Sequence, residues 1–192
     1  MTTQSRFNSS LSERTTIMLG FPLGVLAANA GEWLLHKLVL HRLGRRKGSL
    51  WSFHWHEHHR ASRRHGFRDD DYVRSPLGWN AQGKEVYGIL GISASVLPVA
   101  PFAPWFCVGV WASAGAYYAT HKKAHLDPEW ARRWLPWHYD HHMGPNQEAN
   151  WCVTFPLFDH IMGTREPYLG TERERCDRER MARRRPRAAA AA

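Results

Sequence analysis

The sequence predicts an all-α protein, a helical bundle embedded in a membrane. Two stretches, residues 15–35 and 86–120, contain a single charged side chain between them, and each is long enough for a membrane-inserted helix or hairpin. Histidines recur three or four residues apart, a spacing that aligns side chains on one face of a helix. The first observation favours burial in a bilayer, and the second favours helices that bring imidazole rings together.

The first predicted element follows a polar tail. Residues 1–14 are polar and are expected to be mobile. Residues 15–35 are apolar apart from Asn29 and Glu32, and as a helix they would measure about 31 Å, enough for one bilayer span. Glu32 lies one turn before His36, so it is either a functional group beside that histidine or a glutamate at the membrane interface.

A polar region and a second apolar region follow. Residues 42–85 are rich in Arg, Lys and Asp, which by the positive-inside rule marks the cytoplasmic side. Residues 86–120 are interrupted by Pro98, Pro101 and Pro104, so they predict a helical hairpin with the prolines at its tip. A hairpin returns the chain to the side that it left. The histidines before and after it would then lie on the same, cytoplasmic face.

Most of the 13 histidines fall into four clusters. Neutral imidazole is the commonest side-chain metal ligand, and rings that converge from several helices are most simply interpreted as a metal site. In the second cluster we choose His54 over His56, because His54 and His58 are four residues apart. The ten candidate metal ligands are His36 and His41; His54, His58 and His59; His121 and His125; and His138, His141 and His142.

The number of candidate ligands indicates the number of metals. Ten ligands exceed the eight that two closed tetrahedral zinc sites would use, and they suit two metals with five ligands each. Such ions keep an open coordination position, which is typical of a catalytic site. The sequence therefore predicts a histidine-ligated dimetal centre on the cytoplasmic face of the bundle.

Other polar residues lie close to the clusters in sequence. Some carboxylates are expected to accept the second ring N–H of a ligand, which would fix its tautomer. Isolated histidines such as His56, His65 and His160 are more often satisfied polar residues than ligands. The acidic run at residues 69–71 is interpreted as a solvated loop. The candidate supporting residues or extra ligands are Glu32, His56, Asp140, Asp159 and His160.

The order of the clusters is H-x4-H, H-x3-H-H, H-x3-H and H-x2-H-H, followed by NWCVTFPLFDHIMGT at residues 150–164. Over residues 30–165 this order resembles the fatty acid hydroxylase/sterol desaturase superfamily. The resemblance implies that residues 15–169 form a membrane-bound di-iron oxygenase. It would hydroxylate an unactivated C–H bond of a lipid, such as a fatty acyl chain or sterol, with O2 as co-substrate. Many relatives have H-x2-H-H as the second cluster, where this chain has Trp55 in place of a histidine.

The histidine spacing leaves other functions open. Carotenoid ring hydroxylation and lipid desaturation would use the same ligands, and a non-catalytic zinc-binding membrane protein belongs to a different class. Zinc could also fill an iron enzyme in preparations, because its affinity for such sites is higher. The chain has no Gly-rich nucleotide fingerprint and no flavin or haem motif. An oxygenase would therefore need electrons from another protein, a reductase or a cytochrome- or ferredoxin-type donor.

Charge and the chain end complete the prediction. The net charge of +9 does not indicate nucleic-acid binding, because no recognisable module accompanies it, and anionic lipids of a bilayer explain it equally well. The three cysteines lack framework spacing, which suits a reducing compartment. A mean hydropathy of −0.52 is low for an integral membrane protein and favours shallow insertion. Residues 170–192 form a basic tail that ends in alanines; its first part could be a short charged helix, and its end is expected to be disordered.

Overall fold

The computed structural model describes the backbone of residues 3–189 and the side chains of residues 19–183. Over these residues the regular structure is helical and no strand occurs, so the all-α prediction is confirmed. The α-helices are α1 (Thr3–Leu35), α2 (Arg60–Arg64), α3 (Ala81–Ser95), α4 (Pro104–Leu126), α5 (Pro128–Trp134), α6 (Pro136–Met143), α7 (Leu157–Ile161) and α8 (Glu172–Ala189).

Two histidine-bearing segments are π-helices, a form that is rare and concentrated at functional sites. The first, His36–Leu43, continues α1 without a break, and the second, His54–His59, runs directly into α2. Hydrogen bonds in a π-helix join residues five apart, so side chains at that spacing share one face. Two 3-10 turns, Asp70–Val73 and Leu97–Val99, complete the regular structure of the described residues.

Local sequence signals set where several helices begin. A proline is the first residue of α4, α5 and α6, where its missing N–H costs no hydrogen bond. The side chain of Asn80 accepts the N–H of Gly83 at 2.8 Å and caps α3. The side chain of Asp127 accepts the N–H of Trp130 at 3.1 Å and caps α5. These short-range contacts fix the starts of the helices that carry or flank the later histidines.

Helices α1 and α4 cross at two glycines. A Cβ atom on Gly24 would lie 2.1 Å from the carbonyl oxygen of Phe106, and one on Gly109 would lie 2.3 Å from that of Phe21. Only glycine allows two backbones to approach so closely. Because α1 leads into the first histidine segment and α4 carries the third, this crossing sets the distance between them.

The predicted hairpin is present as α3 and α4. Its tip is the turn Leu97–Val99, and the prolines of this region lie in that connection or begin α4. The indole N–H of Trp111 on α4 donates to the carbonyl of Ser93 on α3 at 3.0 Å, which ties the two arms together.

The predicted membrane spans are not found. In the part of the chain that the structure describes, no helix combines the length and the apolar character needed to cross a membrane. Helix α3 has only 15 residues, or about 23 Å. Residues 19–35 of α1, whose side chains are described, include Asn29 and Glu32 among glycines and alanines. The prediction of an integral membrane protein with its metal site on the cytoplasmic face is therefore wrong.

Both predicted tails are helical where the structure describes them. Helix α1 already begins at Thr3, and α8 covers Glu172–Ala189, so the expected disorder at the end of the basic tail does not hold there. Helix α8 is anchored by an ion pair between Glu174 and Arg132 of α5. Its Arg and Glu residues also pair three and four positions apart, which stabilises a charged helix. The outermost residues of the two tails, 1–2 and 190–192, lie outside the described range.

Candidate metal centre

All ten candidate ligands are buried, none with more than 3% of its surface exposed. Burying so many polar rings is costly unless their nitrogens find partners. Nine of the rings form two groups, and in each group one ligand atom per residue lies within 4.8 Å of all the others. The five-histidine group is His36, His41, His54, His59 and His141, and the four-histidine group is His58, His121, His125 and His142.

The tenth candidate, His138, lies beside the four-histidine group. Its Nε2 is 3.1 Å from Nε2 of His125, and its Nδ1 is buried without a hydrogen-bond partner. His138 is therefore placed to act as a fifth ligand to a metal in that group. The structure thus brings nine of the ten predicted residues into two groups of five and four, and places the tenth beside the smaller group.

The π-helices explain the membership of the five-histidine group. His36 and His41 are five residues apart and share a face of the first π-helix, and His54 and His59 do the same in the second. On an α-helix such pairs would diverge by about 140°. The expectation that His54 acts with His58, four residues on, is therefore not met: His58 belongs to the other group.

Each pair of adjacent histidines is divided between the groups. His59 and His141 join the five-histidine group, whereas their neighbours His58 and His142 join the four-histidine group. Consecutive residues on a helix point about 100° apart, so one pair can serve two sites. The ring centroids of His59 and His142 are only 4.2 Å apart. The two groups are thus direct neighbours.

Backbone carbonyls orient three of the rings through Nδ1. A carbonyl oxygen can only accept, so Nδ1 carries the proton and Nε2 presents its lone pair to the centre of the group. This is the tautomer that a metal ligand needs. The three bonds run from His36 to Trp151 (2.6 Å), from His125 to Phe67 (2.8 Å) and from His141 to Ala149 (2.7 Å).

One of these carbonyls belongs to a residue with an unusual backbone conformation, and the other two belong to the neighbours of such a residue. Phe67 has a φ of +84° and Asn150, between Ala149 and Trp151, has a φ of +59°. For a bulky residue such as Phe67 this conformation is strained, and strain of this kind clusters at functional sites. The strained backbone at residue 67 turns its carbonyl toward His125, while its ring stacks on the same imidazole.

The Nε2 atoms of the five-histidine group converge closely enough to share a cation. Nε2 of His59 lies 3.2 Å from Nε2 of both His41 and His141, and the Nε2 atoms of His36 and His54 are 2.9 Å apart. Two unprotonated ring nitrogens cannot hydrogen-bond to each other, and their lone pairs repel. A metal ion that accepts these lone pairs removes the repulsion.

Several ring nitrogens of the four-histidine group lack a hydrogen-bond partner. Nε2 of His58, Nε2 of His121 and both ring nitrogens of His142 are buried without a hydrogen-bond partner. Buried polar atoms are rarely left unpaired. The residues of both groups therefore fit metal ions, with Nε2 as the ligand atom wherever Nδ1 is already engaged.

Eight of the ten rings favour the neutral form that a metal ligand requires. Burial, aided by the neighbouring imidazoles, lowers their pKa below the ordinary value of a histidine, and for His141 the pKa falls to about 3. A neutral imidazole offers a lone pair, whereas a protonated one does not. The histidines with a lowered pKa are His36, His41, His54, His59, His125, His138, His141 and His142.

Two carboxylates that the sequence analysis did not assign to the site hold rings of the four-histidine group. His58 Nδ1 lies 2.8 Å from Asp69 Oδ2, and His121 Nδ1 lies 2.5 Å from Glu85 Oε1. Glu85 also accepts the hydroxyl of Tyr72 at 2.6 Å. Burial alone would raise the pKa of both acids, but these histidine contacts lower it below the usual value. Both acids are nearly buried, and each fixes the orientation of one ring of the group.

The five-histidine group has different polar partners. Nδ1 of His59 donates to the amide oxygen of Gln147 at 2.8 Å, and Nδ1 of His41 lies 3.3 Å from Glu148. Glu148 is exposed and forms an ion pair with Arg45. Sequence reasoning missed both partners, since they lie in a loop without regular structure.

Three acids predicted to support the ligands instead fold the segment after α6. Glu32 accepts the N–H groups of Val153 and Thr154 at 3.0 and 3.1 Å, and thereby joins α1 to that segment. Asp159 accepts the N–H of Trp151 at 2.8 Å. Its effect on the site is indirect, because the carbonyl of Trp151 orients a ligand ring. Asp140 pairs with Arg165 and accepts the N–H of Leu169.

The two additional histidine candidates lie outside both groups. His56 Nε2 is 3.0 Å from the carbonyl of Arg45, and His160 is exposed on α7. The choice of His54 over His56 agrees with this arrangement.

An apolar cavity of about 380 Å³ lies against the histidines. It runs between α1, α3 and α4, and its wall is mostly aliphatic and aromatic, with small residues such as Ala27, Gly31 and Ala114. The rings of His36, His54 and His58 complete the wall at the metal centre. The cavity thus offers an apolar space next to both histidine groups.

Comparison with known proteins identifies no relative. No protein-family model matches the chain, and neither a curated protein nor a solved structure does. The resemblance to the fatty acid hydroxylase/sterol desaturase superfamily therefore stays a prediction from the histidine pattern.

Proposed function

We propose that this protein is a di-iron oxygenase that hydroxylates an unactivated C–H bond of an apolar, lipid-like molecule. O2 would be the co-substrate, and a separate donor protein would supply electrons. The observation that carries the proposal is that His36 and His54 of one histidine group and His58 of the other form one wall of an apolar cavity. An apolar substrate bound there would lie beside both metal positions.

The chain's own contribution is to orient ligands and to exclude water. Two iron ions held by the histidine groups would supply O2 activation, which no side chain can perform. The Nδ1 contacts hold the imidazoles in place before any metal arrives, so little reorganisation accompanies binding. The apolar wall of the cavity keeps water from the reacting bond.

Two related reactions would use the same arrangement. Carotenoid ring hydroxylation and lipid desaturation also need an apolar substrate beside a dinuclear centre, and they differ in the shape of the substrate. The cavity's small residues leave room that a slender chain or a ring can occupy. The electron donor would be a reductase or a cytochrome- or ferredoxin-type protein, because the sequence carries no nucleotide-binding fingerprint.

A second candidate function is a non-catalytic zinc protein. The donor set favours it, since both groups consist of histidine alone and imidazole suits zinc as well as iron. A non-catalytic zinc protein would have no use for the apolar cavity beside the histidines.

The decisive experiment is mass spectrometry of total lipids and pigments from cells that express the chain with an electron donor, under ¹⁸O-labelled O2. We expect a product heavier by one labelled oxygen. It should vanish in the double variant His141→Ala, His142→Ala, which removes one ligand from each group. The matched control is His160→Ala, an exposed histidine that should leave the product unchanged.

Other results would change the conclusion in defined ways. A product that has lost two hydrogens would indicate a desaturase. Identical profiles for the wild type and the double variant, with donor supplied and metal bound, would rule out the oxygenase. Absorption of the loaded protein adds a check, because diferric centres show ligand-to-metal charge-transfer bands and zinc shows none.

A further inference from the structure

The two histidine groups differ in the charge of the atoms that hold their rings. In the four-histidine group, Asp69 and Glu85 accept from His58 and His121, and their side chains are only 3% and 9% exposed. Each therefore places a buried carboxylate one ring away from the centre of the group. The third acceptor of this group, the carbonyl of Phe67, is neutral.

The corresponding acceptors of the five-histidine group are neutral or neutralised. Two are backbone carbonyls and one is the amide oxygen of Gln147. The single carboxylate, Glu148, is 45% exposed and is paired with Arg45. Solvent and the guanidinium screen most of its charge from His41.

Another cation lies close to both groups. The Arg63 guanidinium donates to the carbonyl of His142 at 2.6 Å, and its charge also disfavours the protonated form of His141. His142 belongs to the four-histidine group and His141 to the five-histidine group, so this charge acts on both. It does not cancel the difference that Asp69 and Glu85 create.

The two carboxylates are themselves fixed in place. The hydroxyl of Tyr72 donates to Glu85 at 2.6 Å, and the N–H of Asp71 donates to Asp69 at 3.0 Å. The N–H of Asp69 in turn donates to the carbonyl of His125, which ties the 3-10 turn to α4. Positioned carboxylates make the imidazole a stronger electron donor, and removing such a partner usually weakens metal binding 10- to 100-fold.

We infer that the two metal positions are unequal: the four-histidine group takes up its metal first and holds it more tightly, and the five-histidine group exchanges its metal. Asp69 and Glu85 are the positioning residues that create the difference. The inference rests on the metal-binding part of the proposed function and not on the oxidation reaction.

The test is a titration of metal-free, full-length protein with Co²⁺ against a competing chelator, followed by the visible absorption of the bound ion. We expect two equivalents that bind in two phases. Glu85→Gln and Asp69→Asn should each weaken the tight phase about 10- to 100-fold and leave the weak phase unchanged. Because these variants keep the shape of the side chain, an unchanged weak phase also reports that the protein is folded.

Two further variants test the same idea in the five-histidine group. Gln147→Glu adds a carboxylate beside His59 and should tighten only the weak phase. Glu148→Gln is the matched control, because its carboxylate is exposed and paired, and it should alter neither phase by more than a few-fold.

The outcomes separate this inference from the proposed function. Two equivalents that bind with equal affinity, or a weak phase that responds to Glu85→Gln, would overturn the inequality and leave the dinuclear centre intact. Fewer than two bound equivalents in the wild type would overturn both.

Discussion

The five-histidine and four-histidine groups both take rings from the second π-helix and from α6, but their characteristic pairs come from different kinds of helix. The five-histidine group takes two pairs from π-helices at a spacing of five residues, whereas His121 and His125 of the four-histidine group lie four apart on the α-helix α4. Spacing in the sequence thus corresponds to helix type. A spacing of five residues, which does not place side chains on one face of an α-helix, does so on a π-helix.

The groups also differ in what surrounds them. The four-histidine group is backed by the buried carboxylates Asp69 and Glu85, and the five-histidine group mainly by carbonyls and an amide. The ligands define where metals can bind, and the atoms behind them tune how strongly each position binds.

The largest effects are expected from removing a ligand of either group. His125→Ala should abolish binding in the four-histidine group and His41→Ala in the five-histidine group, so each variant should retain one metal of two. Elemental analysis of the purified protein measures this directly. His56→Ala is the matched control, since that histidine lies outside both groups, and it should keep both metals.

The same variants can disprove the independence of the groups. If His41→Ala loses both metals while remaining folded by circular dichroism, the groups do not bind separately and the comparison fails.

A smaller effect is expected at the helix crossing that spaces the groups. Gly109→Ala places a Cβ atom 2.3 Å from the backbone oxygen of Phe21, so α1 and α4 must move apart. We expect a loss of about 1–3 kcal/mol in the free energy of unfolding, measured with denaturant. In the matched control, Gly115→Ala on the same helix, the new methyl group meets open space, and a gain of about 0.5–1 kcal/mol is expected. Similar changes in the two variants would contradict the close crossing.

The smallest effect concerns Glu32, which joins α1 to the segment after α6. Burial raises the pKa of Glu32 from 4.5 to about 7, although its hydrogen bonds from Thr154 and Val153 oppose the shift. A carboxyl whose pKa is raised on folding contributes stability below pH 4.5 that is lost as the pH rises through 7. Glu32→Gln removes this loss.

The measurement is the free energy of unfolding of metal-free protein between pH 5 and pH 8. The stability of Glu32→Gln relative to the wild type should rise with pH across this interval. Parallel profiles would show that folding does not raise the pKa of Glu32. The carboxylate would then be ionised across this interval and still accept the N–H groups of Val153 and Thr154.

Much of the site could be predicted because histidine spacing is a local property. The ten buried rings are the ten that the pattern indicates, and the prolines between α3 and α4 predicted the hairpin. The partners of the rings could not be predicted. Asp69 lies in an acidic run that is indistinguishable from a solvated loop, and Glu85 lies 36 residues before the histidine that it contacts.

By itself, the sequence determined the all-α class, the identity of the buried histidines and the helix starts, since each depends on residues a few positions apart. Only the tertiary structure decided which histidine group each ring joins, because π-helices and divided histidine pairs become visible when segments pack together. The tertiary structure also decided what the apolar stretch of α1 contacts. Asn29 and Glu32 of α1 find partners in Thr154 and its neighbours, over 120 residues away. Contacts at that distance along the chain depend on the whole fold, and no local pattern encodes them.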